Sequence, residues 1–109
     1  MSANNGDKFM AILGFARRAG KVRYGLDELK KTKSVKLYAV SKAASDNLAS
    51  DMKALSSKMH KPLVIAKRES FTEGNCKAIG ITDPNMADGM AEYAKQSEEY
   101  EFYRFTEDR

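Results

Sequence analysis

Three short apolar runs, residues 35–40, 63–66 and 76–82, are separated by segments whose apolar residues recur at helical spacing. That alternation narrows the fold more than any other feature of the sequence. Val-Lys-Leu-Tyr-Ala-Val at 35–40 is β-prone and mostly apolar, the composition of a strand covered on both faces. Ser45 or Asp46 then caps a helix in which Leu48, Met52, Leu55 and Met59 recur at steps of four, three and four. Pro62 precedes the second run, and a polar loop over 67–75 leads to the third. Asp83-Pro84 pairs an N-cap with proline at the first helical position, opening a helix marked by Met86, Met90, Tyr93 and Ala94. The pattern predicts an α/β domain with a small central sheet and helices on both faces.

Before the first run, Asp7 is a candidate N-cap for a helix carrying Phe9, Met10, Ile12, Leu13 and Ala16. Gly20 ends it, with Arg17 and Arg18 in the last turn, where cations suit the helix dipole. Residues 22–24 read as a short extended link. Gly25 opens a second helix carrying Leu26 and Leu29, with Asp27 and Glu28 in its first turn and Lys30, Lys31 and Lys33 towards its end. With 109 residues the chain supports a single core. Residues 1–96 are read as that domain and residues 97–109 as an acidic tail, whose Tyr100, Phe102, Tyr103 and Phe105 imply that part of it docks on a surface.

Charge divides the chain. Residues 1–68 hold 15 Lys/Arg and 5 Asp/Glu, a balance of +10, whereas residues 69–109 hold 4 and 10, a balance of −6. A polyanion-facing side with an acidic remainder is the expectation. Cys76 is the only cysteine, so no intrachain disulfide can form, a reducing cytoplasm is the expected compartment, and Cys76 is read as a small core residue. The first residues carry no signal-peptide pattern, and no stretch reaches the ~20 apolar residues that span a bilayer. The sole histidine, His60, sits at a helix end beside Lys61, with no second ligand for a metal and no group to activate as a nucleophile. The stretch from Gly14 to Lys21 has five residues between its glycines, and Val22 follows the lysine. It therefore lacks the spacing and the hydroxyl of a phosphate-binding loop. No enzyme, cofactor or metal is expected.

What remains is a basic hinge. Eight basic residues lie between Ile12 and Lys36, interrupted by Asp27 and Glu28. Arg17, Arg18, Lys21, Arg23, Lys30, Lys31 and Lys42 offer charged donors to a phosphate backbone. Glu28 can accept from the amino or imino groups of a base, which a surface built for phosphate alone does not require. A macrodipole role in the first turn is the other explanation for the two acids.

Four segments in order carry a family resemblance: Leu13-Gly14-Phe15-Ala16-Arg17-Arg18-Ala19-Gly20-Lys21, Gly25-Leu26-Asp27-Glu28-Leu29-Lys30-Lys31, Ala44-Ser45-Asp46-Asn47 and Ile81-Thr82-Asp83-Pro84. Over roughly residues 8–96 the chain resembles the kink-turn RNA-binding superfamily of ribosomal proteins, the archaeal L-seven-Ae and eukaryotic L-thirty-e group, and most of all its small bacterial YlxQ-type members. The resemblance implies a three-layer α-β-α sandwich around a four-stranded mixed sheet, and RNA binding without catalysis. In that family a Gly-x-Asn-Glu-x-x-Lys segment enters the kink-turn groove, its Asn and Glu reading tandem sheared G·A pairs. Gly25, Glu28 and Lys31 match it, while Asp27 stands in place of the asparagine, and an ionised carboxylate only accepts where an amide also donates. Lys42-Ala43 replaces the family's acidic pair, and the short Ser70-Phe71-Thr72-Glu73-Gly74-Asn75 replaces the helix and loop that usually lie against RNA.

The expected RNA-binding set is Arg17, Arg18, Lys21, Gly25, Asp27, Glu28, Lys31 and Lys42. Expected partners are structured RNA, ribosomal or kink-turn-like, and the ribosome. The alternative is a protein-interaction module that keeps the fold and has lost specific RNA binding. The oligomeric state and the role of the acidic tail are left open.

Overall fold

The computed structural model describes residues 7–72 and 74–103. Nine elements follow in chain order: α1 (Lys8–Arg18), β1 (Val22–Tyr24), α2 (Leu26–Lys31), β2 (Leu37–Ser41), α3 (Asp46–Met59), β3 (Leu63–Ala66), β4 (Ala78–Ile81), α4 (Pro84–Gln96) and β5 (Tyr100–Tyr103). The α/β class holds. The sheet, however, has five strands and not four, in the order β1-β4-β2-β3-β5. β2 and β3 run parallel, as expected of strands joined across a helix, and the other pairings are antiparallel.

The fifth strand lies in the segment that sequence set apart as a tail. Tyr100 and Phe102 pair with Ala66 and Val64 and join one core, while Tyr103, paired with Leu63, packs towards the other. Docking of Tyr100, Phe102 and Tyr103 is thus strand pairing, with β5 covering the free edge that β3 would otherwise present, while Phe105 lies outside the described residues. Residues 22–24, read as a link, form the opposite edge strand, with Val22 opposite Ile81 and Tyr24 opposite Ile79.

Each face of the sheet carries one apolar layer. Phe9, Leu13 and Ala16 of α1 and Ala87, Met90 and Ala94 of α4 close over Val22, Ile79, Ile81 and Val64. Leu29 of α2 and Met52 and Leu55 of α3 close over Val35, Tyr38, Val40 and Leu63. Strand alternation sends neighbouring residues to opposite layers, which is why β2 is buried throughout. The helix starts are capped as their sequences imply, with side chains of Asp7, Ser45 and Asp83 accepting from the amides of Met10, Leu48 and Met86. No helix among the described residues is long and apolar enough to cross a membrane.

Candidate nucleic-acid interface

The topology gathers one set of strand ends at a single rim. β1, β2 and β3 point the same way, so the residues that follow them emerge side by side, and β4 and β5 begin there. Gly25 follows β1, its amide donating to the Ala78 carbonyl at 2.9 Å. Lys42 follows β2, its amide bonded to the Ala66 carbonyl at 2.8 Å. Lys67 and Arg68 follow β3. With adjacent strands about 4.8 Å apart, the rim from β1 to β3 is about 14 Å wide.

At one end of this rim the chain turns into α2. Gly25 takes φ +86°, in the left-handed region where a Cβ is penalised, and this allows the helix to start directly from the strand. Leu29 is the one buried residue of α2, and it presses on the sheet over Gly80, where an added Cβ would lie 2.5 Å from its Cδ2. That contact turns Asp27, Glu28 and Lys31 outward, and all three are exposed. Lys31 lies three positions after Glu28 and four after Asp27, on the same helix flank. Neither carboxylate has an ion-pair partner among the described residues.

At the other end, Ser41 fastens the loop after β3. It is 1% exposed, and its hydroxyl meets the carbonyls of Arg68 and Glu69 while accepting from the Ala43 amide at 2.9 Å. Beside it Arg17, Arg68, Ser70, Phe71 and Thr72 line a shallow recess, so the last turn of α1 reaches the loop after β3. Arg68 is held in turn by Asp7, 3.6 Å from its guanidinium. Lys77 points its ammonium at the Glu69 carbonyl, 3.1 Å, and at Asn75 Oδ1, 2.9 Å, stitching the loop to the start of β4. The acid expected in this loop, Glu73, lies outside the described residues.

Not all of the eight sequence candidates meet here. Gly25, Asp27, Glu28 and Lys42 are at or beside the rim, Lys31 lies one helical turn below it, and Arg17 reaches it from α1. Lys21 does not. It precedes β1, at the strand's far end, where its carbonyl accepts from the Thr82 amide at 2.9 Å. Arg18 faces away from the core with its guanidinium 5.0 Å above the centroid of Phe15, a ring 57% exposed. Lys67 and Arg68 were not among the candidates, because residues 67–75 read as undifferentiated loop. The available signal was a basic pair placed directly after an apolar strand.

No family model matches the chain, and no curated protein matches it. Among solved structures, a protein of unknown function from Bacillus halodurans C has a similar fold, with a TM-score of 0.74 and 18% identity over 80% of this chain and 96% of that one. At that identity the likeness shows the fold alone.

Proposed function

We propose that this chain is a non-enzymatic RNA-binding protein of the kink-turn type, working through the rim that joins α2 to the ends of β2 and β3. One observation carries the reading: two exposed carboxylates, Asp27 and Glu28, with no ion-pair partner among the described residues, stand at one end of a rim that also presents the exposed cations Lys42, Lys67 and Arg68. Lys31, Lys42 and Arg17 supply phosphate contacts that fix orientation, and Glu28 accepts from base amino or imino groups. A carboxylate this close to phosphates is unfavourable unless a base donor meets it, so its placement favours readout over simple charge attraction. Lys21 and Arg18 belong to other surfaces and are not part of this contact. The three-layer α-β-α arrangement and the match of Gly25, Glu28 and Lys31 to the family segment support the same reading. The partner would be ribosomal or another structured RNA.

The test compares a kink-turn RNA with a scrambled duplex at matched salt. Preferential binding of the kink-turn is expected, and Glu28→Ala should reduce that preference by at least about fivefold, the loss of roughly 1–3 kcal/mol of base discrimination. Equal losses on both RNAs would remove the readout role of Glu28. The alternative, a protein-interaction module, draws support from the exposed Phe15 on α1. Tyr100 and Phe102, which a free tail would offer to such a module, are instead taken up by the sheet. Purified protein without copurifying nucleic acid and without RNA affinity would favour the module.

A further inference from the structure

Glu101 stands where two strand ends deliver positive charge. Its Oε2 lies 3.3 Å from Lys42 Nζ and 4.0 Å from Lys67 Nζ, so a single oxygen serves two ammonium groups from adjacent parallel strands. Glu101 is opposite Ile65 in the β5 register, one residue from Tyr100, whose ring is buried in the core; its position is therefore set by strand pairing and not by the ion pairs. Lys42 and Lys67 are held just as firmly, by the Lys42 amide on the Ala66 carbonyl and the Lys67 amide on the Glu99 carbonyl. Arg68 follows at once, and Lys42, Ala43, Lys67, Arg68 and Glu69 line one open recess.

Two like charges fixed a strand spacing apart repel unless an anion lies between them. Glu101 meets that need only in part, because the pair is exposed, with the Lys42 and Glu101 side chains 58% and 46% accessible. Exposed ion pairs of this kind hold weakly and are readily exchanged. A phosphodiester brings the same charge with more acceptor oxygens, and it arrives on a polymer already engaged at α2.

We infer that Lys42, Lys67 and Arg68 form a second phosphodiester site, extending the RNA track from α2 across the ends of β2 and β3, and that Glu101 occupies it as an internal substitute for phosphate. This inference rests on the RNA-binding reading above. The strand β5 thereby does two things: it closes the sheet edge, and it weakens backbone binding that is not helped by base readout at Glu28. RNA that fits α2 displaces Glu101; RNA that does not fit competes with it at every encounter.

The experiment measures affinity and its salt dependence for a kink-turn RNA and a scrambled duplex, using the full chain and three variants. Glu101→Gln keeps the strand and its size, so it is preferred to truncation, which would strip β5 from the sheet. It is expected to tighten both RNAs by about two- to fivefold at 0.1 M salt, with the gain vanishing as salt rises. Lys67→Ala combined with Arg68→Ala is expected to make the slope of log affinity against log salt shallower by about 1–2. Glu28→Ala separates the two claims. If Glu101→Gln and the Lys67/Arg68 variant leave affinity and slope unchanged while Glu28→Ala still weakens kink-turn binding, the second site is wrong and the RNA reading stands. If neither the wild type nor Glu101→Gln binds either RNA, both fall.

Discussion

Replacing Gly80 with alanine tests how α2 is set against the sheet. Gly80 lies in β4 between Ile79 and Ile81, and its missing side chain is the space that Leu29 and Val35 fill. A Cβ there would lie 2.5 Å from Leu29 Cδ2 and 3.0 and 3.2 Å from the two Cγ atoms of Val35. Leu29 and Val35 are 1% and 0% exposed, so neither can swing into solvent without giving up its burial. Overpacking of this kind costs about 1–3 kcal/mol. Removing a glycine from the unfolded chain returns about 0.4–1 kcal/mol. The expected net destabilisation is about 1–2 kcal/mol, or roughly 4–12 °C in Tm for a domain of this size. Urea unfolding reads it as a lower midpoint at unchanged slope. Relief of the strain through Leu29 would shift α2 and its carboxylates, so on the proposed reading binding of a kink-turn RNA should weaken more than binding of a scrambled one. Leu29→Ala alone costs about 2–5 kcal/mol but vacates the space. In that background Gly80→Ala should be less harmful, giving a coupling of about 1 kcal/mol or more. Strict additivity of the two changes, or a Gly80→Ala protein as stable as wild type, would refute the packing argument.

Three other outcomes are expected. Ser41→Ala deprives the Ala43 amide of its acceptor and the Arg68 and Glu69 carbonyls of their donor; a loss of about 1–3 kcal/mol is expected, with faster amide exchange at Ala43. Unaltered exchange there would show that the loop is held by something else. Asp27→Asn places an amide, which both donates and accepts, where the segment of the resembled family has one; on the proposed RNA-binding reading, kink-turn affinity should rise severalfold, a gain that a scrambled duplex should match only as far as the lost charge explains. Tyr100 ionises above its ordinary value of 10.0, through burial first and its hydrogen bond to Asp7 second, and burial raises Tyr38 as well. The folded chain therefore keeps protons that the unfolded chain releases above pH 10, so stability should fall as pH rises past that point. Tyr100→Phe should make that decline shallower without abolishing it, and an identical decline would exclude Tyr100 from it.

The interior strands and the longer helices were readable because their signals are local. A cap, a helical stripe and an apolar run each announce themselves within a few residues, as at Asp83-Pro84 or at 63–66. Both edge strands were missed for a common reason. Val22-Arg23-Tyr24 is too short to show a period, and Tyr-Glu-Phe-Tyr at 100–103 sits among acids that mask its alternation. Each becomes a strand only because a partner 34 or more residues away offers an edge. The candidate site divides similarly. Charge and motif located Glu28 and Lys42, but direction along a strand decided which cations share the rim, and that depends on pairing. Lys21 and Gly25 are four positions apart in sequence and sit at opposite ends of β1.

Asp7 caps α1 by accepting from Met10, accepts the Tyr100 hydroxyl at 2.9 and 3.2 Å, and faces Arg68 at 3.6 Å. One carboxylate thus belongs to the first helix, the last strand and the loop at the rim. The consequence is kinetic. Fraying of the helix start, undocking of β5 and release of Arg68 cannot proceed independently, since each strips the same group of partners. Amides near Met10 and along β5 should exchange with solvent as one cooperative unit, although they stand at opposite ends of the described chain.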